Sequence, residues 1–236
     1  MPAAELSIVI PAYNEARRLG TTLEHLRDYA TRCGTATEIV VVDDGSTDGT
    51  ADLVRGFDAG PVALRLLTNP TNRGKGHAVR QGMLAAAGHV LLMCDADLST
   101  PIEELDKLRP WLDAGYDIVI GSRDLPDARL APPQPWPRRR LAALFRALRR
   151  RLILPHVLDT QCGFKLFRQE VARDLFSRLT VDGWLFDCEV LALAARAGYR
   201  IKEVGVTWRH VPPSRVRVWR TMLTAVPTLL KLRGRA

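Results

Sequence analysis

Short runs of consecutive apolar residues alternate with longer stretches in which apolar side chains recur every three or four positions. Leu6 to Ile10 is such a run, rich in β-branched residues and stopped by Pro11, and it predicts a strand. From Glu15 to Tyr29, Ala16, Leu19, Leu23 and Leu26 fall on one helical face, continued by Ala30. Glu38 to Val42 predicts a second strand, followed by a helix from about Thr47 with Thr and Asp as capping residues. Val62 to Leu67 reads as a third strand, Gly76 to Ala87 as a third helix, and Val90 to Cys94 as a fourth strand. Strands apolar at nearly every position, rather than every second one, are buried on both faces. The alternation therefore predicts an α/β fold with a mainly parallel central sheet and helices on both faces.

Ligands of such sheets bind beyond the carboxyl ends of the strands. Asp43 and Asp44 follow the second strand, Asp95 and Asp97 the fourth, so two acidic pairs are expected to line one crevice. Further on, the pattern predicts a helix over Ile102 to Ala114, a strand over Asp117 to Gly121 and a proline-rich loop over Leu125 to Pro137. Helices over Gln169 to Leu179 and Phe186 to Ala197 and a strand over Ile201 to Trp208 complete the regular pattern. The whole chain, 1–236, reads as one domain. Its 1–124 half carries the nucleotide and metal motifs, its 125–208 half the acceptor side, and 209–236 forms a basic C-terminal segment.

Charge adds a second feature. The net charge is +8, yet Arg138 to Arg151 holds seven Arg, Arg209 to Ala236 holds seven Lys or Arg, and neither contains an acidic residue. The other 20 basic residues face all 26 acidic ones, a balance of −6. In both basic segments apolar residues recur at helical spacing. Leu141, Leu144, Phe145, Leu148 and Leu152 line the first, and Trp219, Met222, Leu223, Val226, Leu229 and Leu230 the second. These are basic amphipathic helices, a composition suited to an anionic membrane surface and not to a base-stacking groove, so nucleic acid is not an expected partner. The same periodicity equally fits a helix that buries its apolar face on the domain or in a dimer. No run of about 18 apolar residues is present to span a bilayer. Met1 to Glu5 lacks the charged and apolar regions of a signal peptide. The four cysteines form no C-x-x-C pair, so reduced, mostly buried thiols and a cytoplasmic protein, peripheral at the inner membrane face, are expected.

The sharpest chemical signal is Asp95-Ala96-Asp97. Two carboxylates at i and i+2, where a buried strand ends, can turn toward one Mg²⁺ or Mn²⁺ that shares its other oxygen ligands with a diphosphate. The same residues before Ser99 and Thr100-Pro101 also fit a turn with a helix cap. Asp43-Asp44-Gly45-Ser46 is ordinary turn chemistry by itself. Asn72-Arg73-Gly74-Lys75-Gly76-His77 places two cations and two glycines at a helix start, where free amides favour anions, but without P-loop or dinucleotide spacing.

Taken together, Ser7 to Glu15 (SIVIPAYNE), Val42 to Thr50 (VDDGSTDGT), Asn72 to Gly76 (NRGKG) and Asp95 to Asp97 (DAD) resemble the motifs of family 2 glycosyltransferases. Gly121-Ser122-Arg123, Asp159 to Phe167 (DTQCGFKLF), Trp184, Phe186, Asp187 and Glu189 resemble the polyprenyl-phosphate branch, that of dolichyl-phosphate β-glucosyltransferases and dolichol-phosphate mannose synthases. The resemblance implies a GT-A fold and an inverting, metal-dependent hexosyltransferase. Its donor would be a nucleotide sugar, UDP-glucose before GDP-mannose, and its acceptor a polyprenyl phosphate; a saccharide hydroxyl is the alternative acceptor, and a non-catalytic nucleotide-sugar-binding protein the alternative of another class.

By the same resemblance Pro11, Tyr13, Glu15, Asp43, Asp44, Lys75 and Asp95 are expected to bind the nucleotide sugar, and Asp95 and Asp97 the metal. Asp97 and Asp187 are the expected catalytic residues, and Arg123, Arg139, Arg140, Lys165 and Arg215 the expected partners of the acceptor phosphate. Ser99 stands where the mannose synthases commonly carry a metal-binding Gln. Asp187 is either a base for a hydroxyl acceptor or, with Glu189, a residue that positions the acceptor or binds Lys165.

Overall fold

A computed structural model describes residues 4–131, 149–209 and 227–232. The strands are β1 (Leu6–Ala12), β2 (Thr37–Asp43), β3 (Ala63–Thr68), β4 (Val90–Cys94), β5 (Ile118–Ser122), β6 (Arg129–Ala131), β7 (Phe164–Arg168), β8 (Ile201–Gly205) and β9 (Thr207–Arg209). The helices are α1 (Leu19–Cys33), α2 (Thr50–Arg55), α3 (Lys75–Ala85), α4 (Leu105–Asp113), α5 (Gln169–Arg178) and α6 (Phe186–Arg196), with a 3₁₀ turn at Ile102–Glu104. Seven strands form one sheet in the order β3-β2-β1-β4-β7-β5-β8, and β6 and β9 pair in a separate two-stranded sheet. Every pairing in the large sheet is parallel except those of β7, which runs antiparallel to both β4 and β5.

The apolar runs are explained by two cores. Ile39 and Val41 of β2 face one cluster with Ile8, Ile10, Leu92 and the apolar side of α1 and α4. Val40 and Val42 face the other, with Val9, Leu91, Met93 and residues of α3, α5 and α6. Alternate side chains of one strand thus enter opposite layers, which leaves no solvent-facing position on a central strand.

Several elements differ from the sequence pattern. The helix expected from about Thr47 begins at Thr50 behind Gly49, without a side-chain cap. The Asp48 carboxylate instead accepts hydrogen bonds from Ala16 N and the Thr50 hydroxyl, tying two loops together. Likewise α1 begins at Leu19, after Asn14 at φ 56° and a Glu15 amide donated to Thr50 Oγ1. The strand expected over Ile201 to Trp208 divides at Val206 into β8 and β9, which belong to different sheets. Strands β2 and β4, which carry the acidic pairs, are separated by β1.

The basic segments lie largely outside the described residues, as do Arg139, Arg140 and Arg215. Within them, Arg149 of the first basic segment is 1% exposed and donates to Val157 O (2.8 Å) and Leu158 O (2.6 Å). Residues 227–232 are helical; Leu229 and Leu232 are buried against Leu185 and Cys188, and Arg196 donates to Leu232 O. This part of the C-terminal apolar face is covered by the domain. All four cysteines are free thiols, three buried and Cys33 exposed. No helix among the described residues is long and apolar enough to cross a membrane.

Candidate functional site

Parallel register places the ends of β1 and β2 side by side, Ala12 opposite Asp43, with β4 on the other flank of β1. The loops that leave these ends hold one another. Asn14 donates its amide to Ser46 Oγ (2.7 Å), and its Oδ1 accepts from Thr47 N (2.8 Å). Tyr13 is left 40% exposed and Pro11 half-buried. Asp43 is buried and accepts from Ser46 N (3.2 Å).

Asp44 is 3% exposed, and its carboxylate accepts from Asn69 Nδ2 (2.8 Å), Arg73 N (3.1 Å) and Gly74 N (2.8 Å). It therefore anchors the 69–74 loop. Gly45, at φ 73°, is in such close contact with that loop that a β-carbon there would overlap the Thr71 and Asn72 backbone.

The loop leads directly into Lys75, the first residue of α3. Its ammonium donates to Asp95 Oδ1 at 2.6 Å and lies 4.7 Å from the centre of the Trp184 ring. Burial would lower the Lys75 ammonium, but Asp95, Asp187 and Asp97 outweigh it and hold the group above its ordinary value. The two acidic pairs are thus joined through three residues, Arg73 to Lys75, although their strands are not neighbours.

The Asp95–Ser99 turn is tightly held. Leu98 adopts φ 44°, Thr22 of α1 donates to Ala96 O (2.8 Å), and Ser99 N donates to Asp97 Oδ1 (3.0 Å). Ser99 is buried and holds Asp97 through its amide. Burial, then repulsion from Asp95, pushes the Asp97 carboxyl up, opposed by Ser99 and Arg18. Arg18 was not singled out in the sequence. Its guanidinium is paired with Glu15 through Nε and Nη2, and Nη1 lies 3.7 Å from Asp97 Oδ2, buried and without a hydrogen bond. The carboxylate of Glu15, expected to contact nucleotide, is occupied by this arginine. The i, i+3 spacing of Glu15 and Arg18 was the available signal.

Residues 159–165 connect Arg123 to this turn. Asp159 accepts from Arg123 N, Nε and Nη2 at 3.0, 2.7 and 2.9 Å, and Arg123 lies over Trp208. Glu203 of β8 in turn holds the Leu158 and Asp159 amides at 2.7 and 2.9 Å. Four residues on, Gly163 packs so closely on Asp95 that a β-carbon would fall within the carboxylate. Lys165 then donates to Asp187 Oδ1 and to Cys162 O, both at 2.5 Å. The roles of Asp159, Gly163 and Glu203 were not legible in sequence, because each depends on a partner at least 36 residues away.

Two of the expected site residues are paired with each other. Lys165 is 1% exposed, and its ammonium donates to an internal carboxylate and a carbonyl. Asp187 is 2% exposed and bound to Lys165, the pairing that one of its two expected roles requires. Glu189 is buried and accepts from Thr180 N, Thr180 Oγ1 and Val181 N, securing the loop that carries Trp184.

Asp95 and Asp97 fit a hard divalent cation as a partial ligand set. Both are half-buried oxygen donors, and among the described residues no group of three or more His, Cys, Asp or Glu side chains could hold a metal by itself. A cation completed by diphosphate oxygens and water suits this donor set, and a closed protein cage does not.

Comparison with known proteins gives a consistent result. The sequence profile described as Glycosyl transferase family 2 matches residues 7–176. A dolichyl-phosphate beta-glucosyltransferase of Drosophila melanogaster is 37% identical over 230 residues, covering 91% of this chain and 70% of that one. The Homo sapiens protein of the same name is 33% identical over 248 residues, covering 99% and 76%. Among solved structures, glucosyl-3-phosphoglycerate synthase from Mycobacterium tuberculosis, in complex with Mn²⁺, UDP and glucosyl-3-phosphoglycerate, superposes with a TM-score of 0.75 at 21% identity. It covers 99% of this chain and 81% of that one. That likeness establishes the GT-A fold.

Proposed function

Because the chain belongs to glycosyl transferase family 2, we propose that it is a glucosyltransferase that moves glucose from a nucleoside diphosphate sugar to a polyprenyl phosphate of the dolichyl type. The observation that carries this reading is the likeness, at 33–37% identity over most of the chain, to enzymes named dolichyl-phosphate beta-glucosyltransferase. UDP-glucose is the first donor to test and GDP-mannose the second. The fold neighbour's complex with Mn²⁺ and UDP supports a uridine nucleotide and a divalent cation, Mn²⁺ or Mg²⁺.

In this reading a phosphate oxygen of the acceptor attacks the anomeric carbon in line as the bond to the diphosphate breaks, inverting the configuration. A phosphate acceptor is already anionic at neutral pH, so no side chain has to take a proton from it. The burial of Asp187 against Lys165 agrees with that chemistry. Asp95 and Asp97 would hold the cation, which when bound neutralises charge on the diphosphate. Lys75 borders the same carboxylate, while Pro11, Tyr13 and Asp43 flank the nucleotide. Arg123, fixed by Asp159 but 24% exposed, faces the acceptor phosphate, with Arg139, Arg140 and Arg215 as further candidates. The basic segments would bring the protein to the inner face of the membrane as a peripheral protein, where each surface cation adds about 1 kcal/mol.

The test incubates the full chain and Asp97→Ala with Mn²⁺ or Mg²⁺, labelled UDP-glucose or GDP-mannose, and a polyprenyl phosphate in detergent, and counts label extracted into organic solvent. Lipid-linked glucose made by the wild type and not by the variant is the expected result. Transfer only to added saccharides would overturn the lipid acceptor, and transfer only from GDP-mannose would overturn the donor.

A further inference from the structure

The Asp95 carboxylate is a crowded acceptor. It rests on Gly163, where a β-carbon would overlap it, and its Oδ1 is taken by the Lys75 ammonium at 2.6 Å. Its companion Asp97 has Arg18 at 3.7 Å. Each carboxylate assigned to the divalent cation therefore already has a cation of the protein beside it.

The two protein cations are not equivalent. Arg18 is gripped by Glu15 through two nitrogens, so its head is fixed. Among the described residues the Lys75 ammonium is bonded to one carboxylate, Asp95, from the end of a flexible four-carbon stem. The backbone beneath that stem is held firmly. Gly74, at φ 112°, is packed against Asp182 O, Gly76 against Val181 O and Phe186, and His77 N donates to Asp182 O at 3.1 Å. The rings of Trp184, at 4.7 Å, and Phe186, at 6.0 Å, lie within cation–π reach of the ammonium. With the backbone held, any displacement of the ammonium falls to the side chain.

We propose that Lys75 is an exchangeable counter-ion: its ammonium and the divalent cation compete for Asp95, and the cation enters favourably only with a diphosphate that receives the displaced ammonium. This rests on the assignment of Asp95 and Asp97 to the cation. Lys75 thereby couples cation binding to donor binding, and the site favours the complete cation–nucleotide pair over the cation alone. Coupling follows from differential contacts, because the ammonium opposes the cation on the shared carboxylate and favours the phosphate.

The experiment measures Mn²⁺ binding to the full chain from the electron paramagnetic resonance signal of free Mn²⁺, with and without UDP. In the wild type, UDP is expected to tighten Mn²⁺ binding by ~10-fold or more. Lys75→Met is expected to bind Mn²⁺ alone ~10-fold more tightly than the wild type, with the UDP enhancement reduced to what direct contact between diphosphate and cation supplies. A merely structural role for Lys75 predicts the opposite sign. Lys75→Gln serves as a second neutral variant, and thermal melting checks that both are folded. A measurement on the unaltered site needs no Lys75 variant: Trp184 emission, isolated by difference from Trp184→Phe, changes when Mn²⁺ and UDP bind together and Lys75 moves.

Mn²⁺ binding that is equal or weaker in both neutral variants, yet lost in Asp97→Ala, overturns the exchange and leaves the cation site standing. Unchanged Trp184 emission on saturation with Mn²⁺ and UDP does the same. A wild type that binds no Mn²⁺ with or without UDP removes the cation site and the exchange together.

Discussion

Lys165 on β7 and Asp187 in the first turn of α6 form an ion pair of 2.5 Å with 1% and 2% of their side-chain surfaces exposed. Burial pushes the Asp187 carboxyl up, and Lys165 and Lys75 pull it back. Removing one member leaves a buried charge without its partner, so Asp187→Asn is expected to cost about 3–5 kcal/mol of stability. Lys165→Met combined with Asp187→Leu is expected to recover most of that loss. Urea unfolding of the two variants beside the wild type measures both effects. A base role for Asp187 predicts instead an Asp187→Asn protein of normal stability and little activity.

Gly163 gives a prediction about the site that leaves its charges untouched. A β-carbon at this position would occupy the space of the Asp95 carboxylate, which has Lys75 on its other side. Gly163→Ala is expected to retain a cooperative melt while losing about 10- to 100-fold in cation affinity or in kcat/KM. Mn²⁺ titration and the lipid-transfer assay check the two readouts separately.

Asp159 governs behaviour in acid. Burial alone would raise its carboxyl, but Arg123, which donates three hydrogen bonds to it, holds it well below the usual carboxylate range. Its ionised form therefore contributes stability that is complete above the unfolded value, about pH 3.9, and is lost as pH falls below it. In that window the unfolded chain binds a proton that the folded chain does not, so this one group should remove ~1.4 kcal/mol per pH unit. Urea unfolding from about pH 4 down to about pH 2 should show this slope in the wild type and its absence in Asp159→Asn.

The C-terminal helix offers a contrast between adjacent residues. Leu229 is fully buried against Leu185 and Cys188, whereas Leu230 is 51% exposed. Leu229→Ala is expected to destabilise the protein by about 2–5 kcal/mol and Leu230→Ala by less than about 0.5 kcal/mol. Thermal melts of the two variants decide whether this face packs on the domain in solution. Equal, negligible shifts would mean that it does not.

The sequence by itself determined the alternation of strands and helices and the two-faced burial of the sheet, because both are written in local periodicity. Asp95 and Asp97 were placed at a strand end for the same reason: the apolar run Val90 to Cys94 stops where they begin. Family motifs then gave them a chemistry. Only the tertiary structure decided which partners those residues meet. A segment such as Phe164 to Phe167, apolar but for Lys165, carries no direction, so the antiparallel insertion of β7 between β4 and β5 was not legible.

Charge was similarly ambiguous. In sequence, Arg149, Lys165 and Arg123 are all basic side chains suited to solvent or phosphate. In the fold one serves backbone carbonyls, one a buried carboxylate and one a carboxylate at the edge of the site. The physical reason is range. Periodicity is set by neighbours three or four positions away, whereas the partner of a buried charge is brought to it by chain that returns from far along the sequence. For Lys165 that partner is 22 residues away and for Arg123 it is 36, distances at which a local pattern holds no information.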